Sequence, residues 1–120
     1  MEIGAYLSKH ADDNFRINAK LEVISRLKKN VDVPLKALIP QMETEVDNAI
    51  DAFVDDGNWI EKQINRIQNE QMKNILENRY LRFLTWDEIS DKMDISVDEL
   101  PFYCGQAITL LEQNYDKAVS

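Results

Sequence analysis

The sequence predicts an all-α fold: an N-terminal antiparallel hairpin of two long helices, then a C-terminal three-helix unit of the helix-turn-helix kind. Three observations predict it. Apolar residues recur at alternating four- and three-residue spacing through two long segments, the mark of helix packed on helix. Thr85-Trp-Asp-Glu88 and Ser96-Val-Asp-Glu99 each place a hydroxyl three residues before a glutamate, the reciprocal cap that satisfies backbone donors at a helix start. Only three Gly and three Pro occur in 120 residues, too few for a many-turned β fold. The expected division is a coiled-coil-like hairpin over 1–68 and a helix-turn-helix domain over 69–120.

The first long segment carries Ile3, Leu7, His10, Asn14, Ile17, Leu21, Ile24, Lys28 and Val31 on one seam. It is well formed from Ile17 to Ile24 and interrupted earlier by His10 and Asn14. Phe15, Val23 and Leu27 flank it and are expected to widen the buried stripe. Asn14 either fixes helix register or sits at a solvated end. Lys28-Lys29-Asn30 closes the segment with positive charge, which suits a helix C-terminus. Pro34 and Pro40 exclude a regular helix between the long segments. Leu35, Leu38 and Ile39 suggest a short helical turn tucked against the hairpin.

The second long segment holds Val46, Ile50, Phe53, Gly57, Ile60, Ile64 and Ile67 in the same spacing. Gly57-Asn58 ordinarily reads as a turn, but the seam keeps register across it, so one long helix with a weak point is preferred. The hairpin closes either on itself or on a second copy, which makes homodimerisation through it a possible arrangement. Beyond it, Met72, Ile75, Leu76, Tyr80 and Phe83 form the apolar face of a first short helix. Ile89 and Met93 serve the second helix, with Ile95 as a plug in the turn. Leu100, Tyr103 or Cys104, Ala107, Ile108 and Leu111 serve the third. Trp86 reads as a core anchor.

Composition narrows the functional classes. The chain is 44% hydrophobic and 30% charged, an ordinary soluble composition, and no stretch approaches the roughly 18 apolar residues of a membrane span. The N-terminus shows no secretion signal, and Cys104 is alone, which fits a reducing compartment. The expectation is a cytoplasmic protein of a bacterial cell. No enzyme constellation is visible, and neither cofactor nor metal is expected. His10 lacks partners at metal-ligand spacing, Cys104 reads as small-core packing, and phosphate loops and nucleophile elbows are missing.

Arg79-Tyr80-Leu81, Thr85-Trp86-Asp87-Glu88-Ile89 and Gly105-Gln106-Ala107-Ile108 carry a resemblance. Together with INAKLEVISRLK at 17–28 and the later INRIQN, they make the chain similar to a family of small phage and prophage transcriptional regulators. The helix-turn-helix of that family resembles region 4 of sigma factors. The resemblance covers nearly the whole chain, with its specific motif at 77–108. It implies DNA-linked control of phage or mobile-element genes, with DNA, RNA polymerase or both as partner and the third helix in the major groove. On that reading Arg79 and Arg82 hold phosphates, and Ser96, Tyr103 and Gln106 contact bases.

Charge points elsewhere. The net charge is −8, and residues 81–120 hold three basic against eight acidic side chains. No Lys or Arg occurs from Ile95 through Gln113, although phosphate neutralisation dominates affinity for DNA. Pro101 means that the third helix either starts late or kinks. The alternative expectation is an acidic phage or mobile-element protein that has lost DNA binding. It would use Asp94, Asp98, Glu99 and Phe102 to inhibit or titrate a nucleic-acid-binding protein: a repressor, polymerase, recombinase or defence nuclease.

Overall fold

The computed structural model describes residues 3–29 and 33–114, and all of the regular structure in them is helical. Helix α1 runs over Ile3–Lys29, α2 over Val33–Lys36 and α3 over Ile39–Ile64. Helix α4 spans Glu70–Leu76 and passes directly into a π-helical turn, Glu77–Leu81. Helices α5, Trp86–Met93, and α6, Leu100–Asn114, complete the chain.

α1 and α3 lie side by side in opposite directions. Lys28 near the end of α1 pairs with Glu43 near the start of α3 at 2.8 Å, while Tyr6 near the start of α1 donates to Asp56 at 2.5 Å. α3 is continuous through Gly57. A helical glycine costs about 1 kcal/mol relative to alanine, but a Cβ here would stand 3.3 Å from His10 Cε1. The glycine admits the imidazole. Pro40 lies in the first turn of α3, where its missing N–H leaves no helix bond unmade, and the turn at 37–38 separates α2 from α3. Val31 and the side chain of Leu35 lie outside the described residues.

The larger core joins both halves of the chain. Ile3, Leu7, Ile60 and Ile64 are fully buried together with Ile75, Leu76, Ile89, Leu100, Ala107 and Leu111. Glu112 of α6 accepts from the backbone N–H groups of Ile3 and Gly4 at 2.9 and 3.3 Å. It satisfies donors left open at the start of α1 and puts a carboxylate at the positive helix end.

The other end of the α1/α3 pair is thin. Among the described residues only Ile17, Ile24 and Val46 are buried there, with Ile39, Met42, Ala49, Ile50 and Phe53 packed around them. Leu21, on the seam, keeps 43% of its surface exposed, and the expected flanking residues Phe15 and Val23 do not widen the stripe, at 76% and 44% exposed. Among the described residues α3 is the main partner of α1 here. Phe15 stands about 200° around α1 from Ile17 and lines a surface pocket with Arg79, Tyr80 and Phe83. Asn14 is half-buried and accepts from Asn18 of its own helix. The radius of gyration, 17.7 Å, exceeds the roughly 14 Å expected of a compact chain of this length, because the thin end projects.

Two local starts differ in kind. α5 has the complete reciprocal cap: Glu88 N–H donates to Thr85 Oγ1 at 3.2 Å and Thr85 N–H to Glu88 Oε1 at 3.0 Å. The cap expected at Ser96 is not built. Ser96 Oγ accepts from Asp98 N–H at 3.3 Å and the Ser96 carbonyl from Glu99 N–H at 3.0 Å, so 96–99 is a turn and α6 begins at Leu100. Pro101 decides this. In the first turn its ring and absent N–H are tolerated, whereas deeper in a helix they are not. Phe83 also departs from expectation, leaving the helix that precedes it to adopt a left-handed backbone, φ 58°.

Because one core serves both halves, Ile64→Ala is expected to cost about 2–5 kcal/mol. Leu21→Ala at the thin end should cost less than about 1 kcal/mol. Urea unfolding of both variants, followed by circular dichroism, checks the contrast.

Candidate functional site

Two regions bear on function: the α5–turn–α6 surface, and a cleft between α3 and the π-helical turn. The first is positioned by local bonds. α5 ends at Asp94 in left-handed conformation, φ 56° and ψ 45°, its N–H donating to the Ser90 carbonyl. Ser90 Oγ donates to the Ile95 carbonyl at 2.6 Å, and Ile95 N–H donates back to the Ser90 carbonyl at 3.4 Å. Aspartate is among the few residues that enter this backbone region at low cost. The turn is therefore short and fixed, with Ile95 half-buried on the core.

α6 buries Leu100, Cys104, Ala107 and Leu111, a regular inward face at helical spacing. Its outward positions are Pro101, Phe102, Gly105, Gln106, Thr109 and Gln113, all exposed. Phe102 is 65% exposed and lies edge-on to the half-buried Tyr103, ring centroids 5.8 Å apart. Ser96, Asp94, Asp98 and Glu99 are exposed beside them. No cation stands on this surface of α6.

The two arginines expected to hold phosphates both have internal duties. Arg79 is half-buried, its guanidinium 4.2 Å from the Trp86 ring centroid, and it donates to the Leu84 carbonyl at 3.1 Å. That contact braces the start of α5 by cation–π attraction. Arg82 is exposed but donates to Oδ1 of the buried Asn78 at 2.7 Å. Ser96, Tyr103 and Gln106 lie together on the α6 side of the turn, and the arginines lie on the helix before α5.

The buried Cys104 and the half-buried Tyr80 form a pair without reactive character. Burial pushes the tyrosine hydroxyl up to about 12 and raises the thiol as well, so both are neutral at ordinary pH and the thiolate needed for nucleophilic work is scarce. Among the described residues no group of three or more His, Cys, Asp or Glu could hold a metal ion.

The cleft was not legible as a site. It holds about 380 Å³ and is lined by Phe53, Val54, Gly57, Asn58 and Glu61 of α3, by Glu77, Leu81, Arg82 and Phe83, and by His10. His10 is 2% exposed, stacked on Phe53 at 4.2 Å with ring planes 7° apart, and 5.5 Å from the Phe83 ring. Its Nδ1 is buried without a hydrogen-bond partner. Burial lowers the imidazole below its ordinary value, more than the Asp56 and Asp13 carboxylates raise it. The one available signal was a histidine and a glycine at facing seam positions.

A depressed imidazole means that the unfolded chain takes the additional proton first as pH falls, from its ordinary value near 6.5. Stability conferred by the neutral ring is therefore present above that value and lost as pH drops below it. Urea midpoints between about pH 7.5 and about pH 5 are expected to fall less steeply for His10→Phe than for the parent chain; parallel slopes would contradict this. Neither a protein-family model nor a curated protein nor a solved structure matches the chain.

Proposed function

We propose that this chain is a transcriptional regulator of the phage or prophage type, working in the cytoplasm of a bacterial host. Its α5–turn–α6 unit serves as a sigma region-4-like helix-turn-helix that acts at promoters by contacting RNA polymerase. The order of elements supports the reading: a long α-hairpin, a helix bearing Arg79-Tyr80-Leu81, a capped helix opening Thr85-Trp86, a short turn, and a third helix. The observation that carries the preference for protein contact over DNA grip is the exposed face of α6. It presents Phe102, Gln106 and Thr109 without a cation, next to Asp94, Asp98 and Glu99. A helix lying in the major groove gains most of its affinity by neutralising phosphates, and this face repels them.

A second reading rests on the same surface. Phe102 and Val97 are exposed at 65% and 38% amid carboxylates, an apolar centre with an acidic surround. That arrangement suits the basic surface of a repressor, recombinase, polymerase or defence nuclease, which the chain would inhibit or titrate in place of DNA. In either reading a second copy of the chain would cover the thin end of the hairpin, where Leu21 and Val23 are nearly half exposed.

Mobility shifts with phage promoter DNA at about 50 mM salt, where phosphate contacts are strongest, are expected to show no complex with the chain alone. A complex is expected once RNA polymerase holoenzyme is added. Phe102→Ala should weaken that ternary complex about tenfold, the loss of one exposed aromatic anchor. A shift of naked DNA by the chain alone would overturn the preference for protein contact. Binding to a basic nucleic-acid-binding protein, without polymerase, would favour the second reading.

A further inference from the structure

Four local irregularities converge on the cleft between α3 and the π-helical turn, far from any role assigned to α6. The helix before the cleft widens to π geometry over Glu77–Leu81, a rare form that recurs at functional sites. Phe83 holds a left-handed backbone, a conformation that costs a bulky L-residue about 1–2 kcal/mol and persists only where its surroundings impose it. Gly57 gives up its side chain to admit His10, and His10 brings in a buried Nδ1 that no protein group satisfies. A leucine at position 10 would have filled the seam without that uncompensated nitrogen.

The lining sets the chemistry of an occupant. The walls are apolar and aromatic: Phe53, Phe83, Leu81 and Val54. Of the charged groups at the mouth, Arg82 donates to the neutral Asn78 amide and keeps its charge, but it is outnumbered by the Glu61 and Glu77 carboxylates, which carry no ion pair among the described residues. We infer that the cleft is a binding site for a small organic cation, a flat apolar body bearing an amine or amidine. The body lies among Phe53, His10 and Phe83, and the cationic group faces Glu61 and Glu77. The volume of about 380 Å³ lies at the lower end of the range for small-molecule sites. A neutral imidazole suits this occupant, since an imidazolium would repel it.

The test titrates the full chain with three probes, tryptamine, phenethylamine and benzamidine, while recording the His10 imidazole nitrogen signals. At least one probe is expected to shift them saturably. Indole-3-propionate, with the body of tryptamine and the opposite charge, is expected to bind at least tenfold more weakly. The double variant Glu61→Gln, Glu77→Gln should lose about tenfold in affinity for the bound amine, two partly exposed ion pairs together. Its melting temperature should match the parent's, because neither carboxylate supports the fold. The inference is overturned if no probe moves the His10 signals, if amine and carboxylate probes bind alike, or if the double variant binds as tightly as the parent. Polymerase binding through α6 plays no part in the outcome.

Discussion

Burial of Ile60 and Ile64 at the end of α3 is the constraint on which the other features depend. These side chains are fully enclosed in one core with Ile3 and Leu7 of α1 and with buried residues of α4, α5 and α6. Each such side chain contributes about 1.5–3 kcal/mol when removed from water, far more than any surface ion pair here. The long helices are therefore anchored at one end and free at the other. Glu112, bonded to the first N–H groups of α1, fixes where α6 must sit.

That anchoring dictates the geometry between α4 and α5. The chain has to leave the core after Asn78, reverse, and deliver Thr85 to the start of α5. The reversal is made by the π turn, the left-handed Phe83 and the Leu84 N–H bond to the Asn78 carbonyl at 2.9 Å. Arg79 then clamps the result by stacking on Trp86. The irregular backbone lies where two regular packing demands meet, and the aromatic cluster of His10, Phe53 and Phe83 lines the space that the reversal opens. A cleft with unusual chemistry is a by-product of joining the hairpin to the α4–α6 unit.

How far the sequence discloses this follows from the range of each interaction. All-helical character, the continuity of α3 and the capping of α5 rest on neighbours a few residues apart, so spacing and side-chain type reveal them. Ser96 shows the limit: the same hydroxyl–glutamate signature fails to cap α6 because Pro101 moves the helix start to Leu100. Phe15 and Val23 read as stripe-widening residues only if a further element packs on their side of α1, and both stay exposed. The His10 cleft depends on residues from positions 10, 53–61 and 77–83 meeting in space. His10 and Gly57 read as breaks in two separate seams, and only the 3.3 Å that would separate a Cβ at position 57 from His10 Cε1 shows that each explains the other.

The surface of α6 follows a different logic from the core beneath it. Leu100, Cys104, Ala107 and Leu111 determine that a helix docks there, whereas Phe102, Gln106 and Thr109 determine what that helix meets. The first set is buried and the second exposed. Basic residues could be lost from the outer face at little cost to stability, since exposed charges contribute little to folding. The cost would fall on DNA affinity, which scales with the number of phosphates neutralised. On the proposed reading, the α5–turn–α6 unit would keep its packing while its outer residues meet protein instead of DNA, and the exposed Phe102 near Asp98 and Glu99 is what supports that reading.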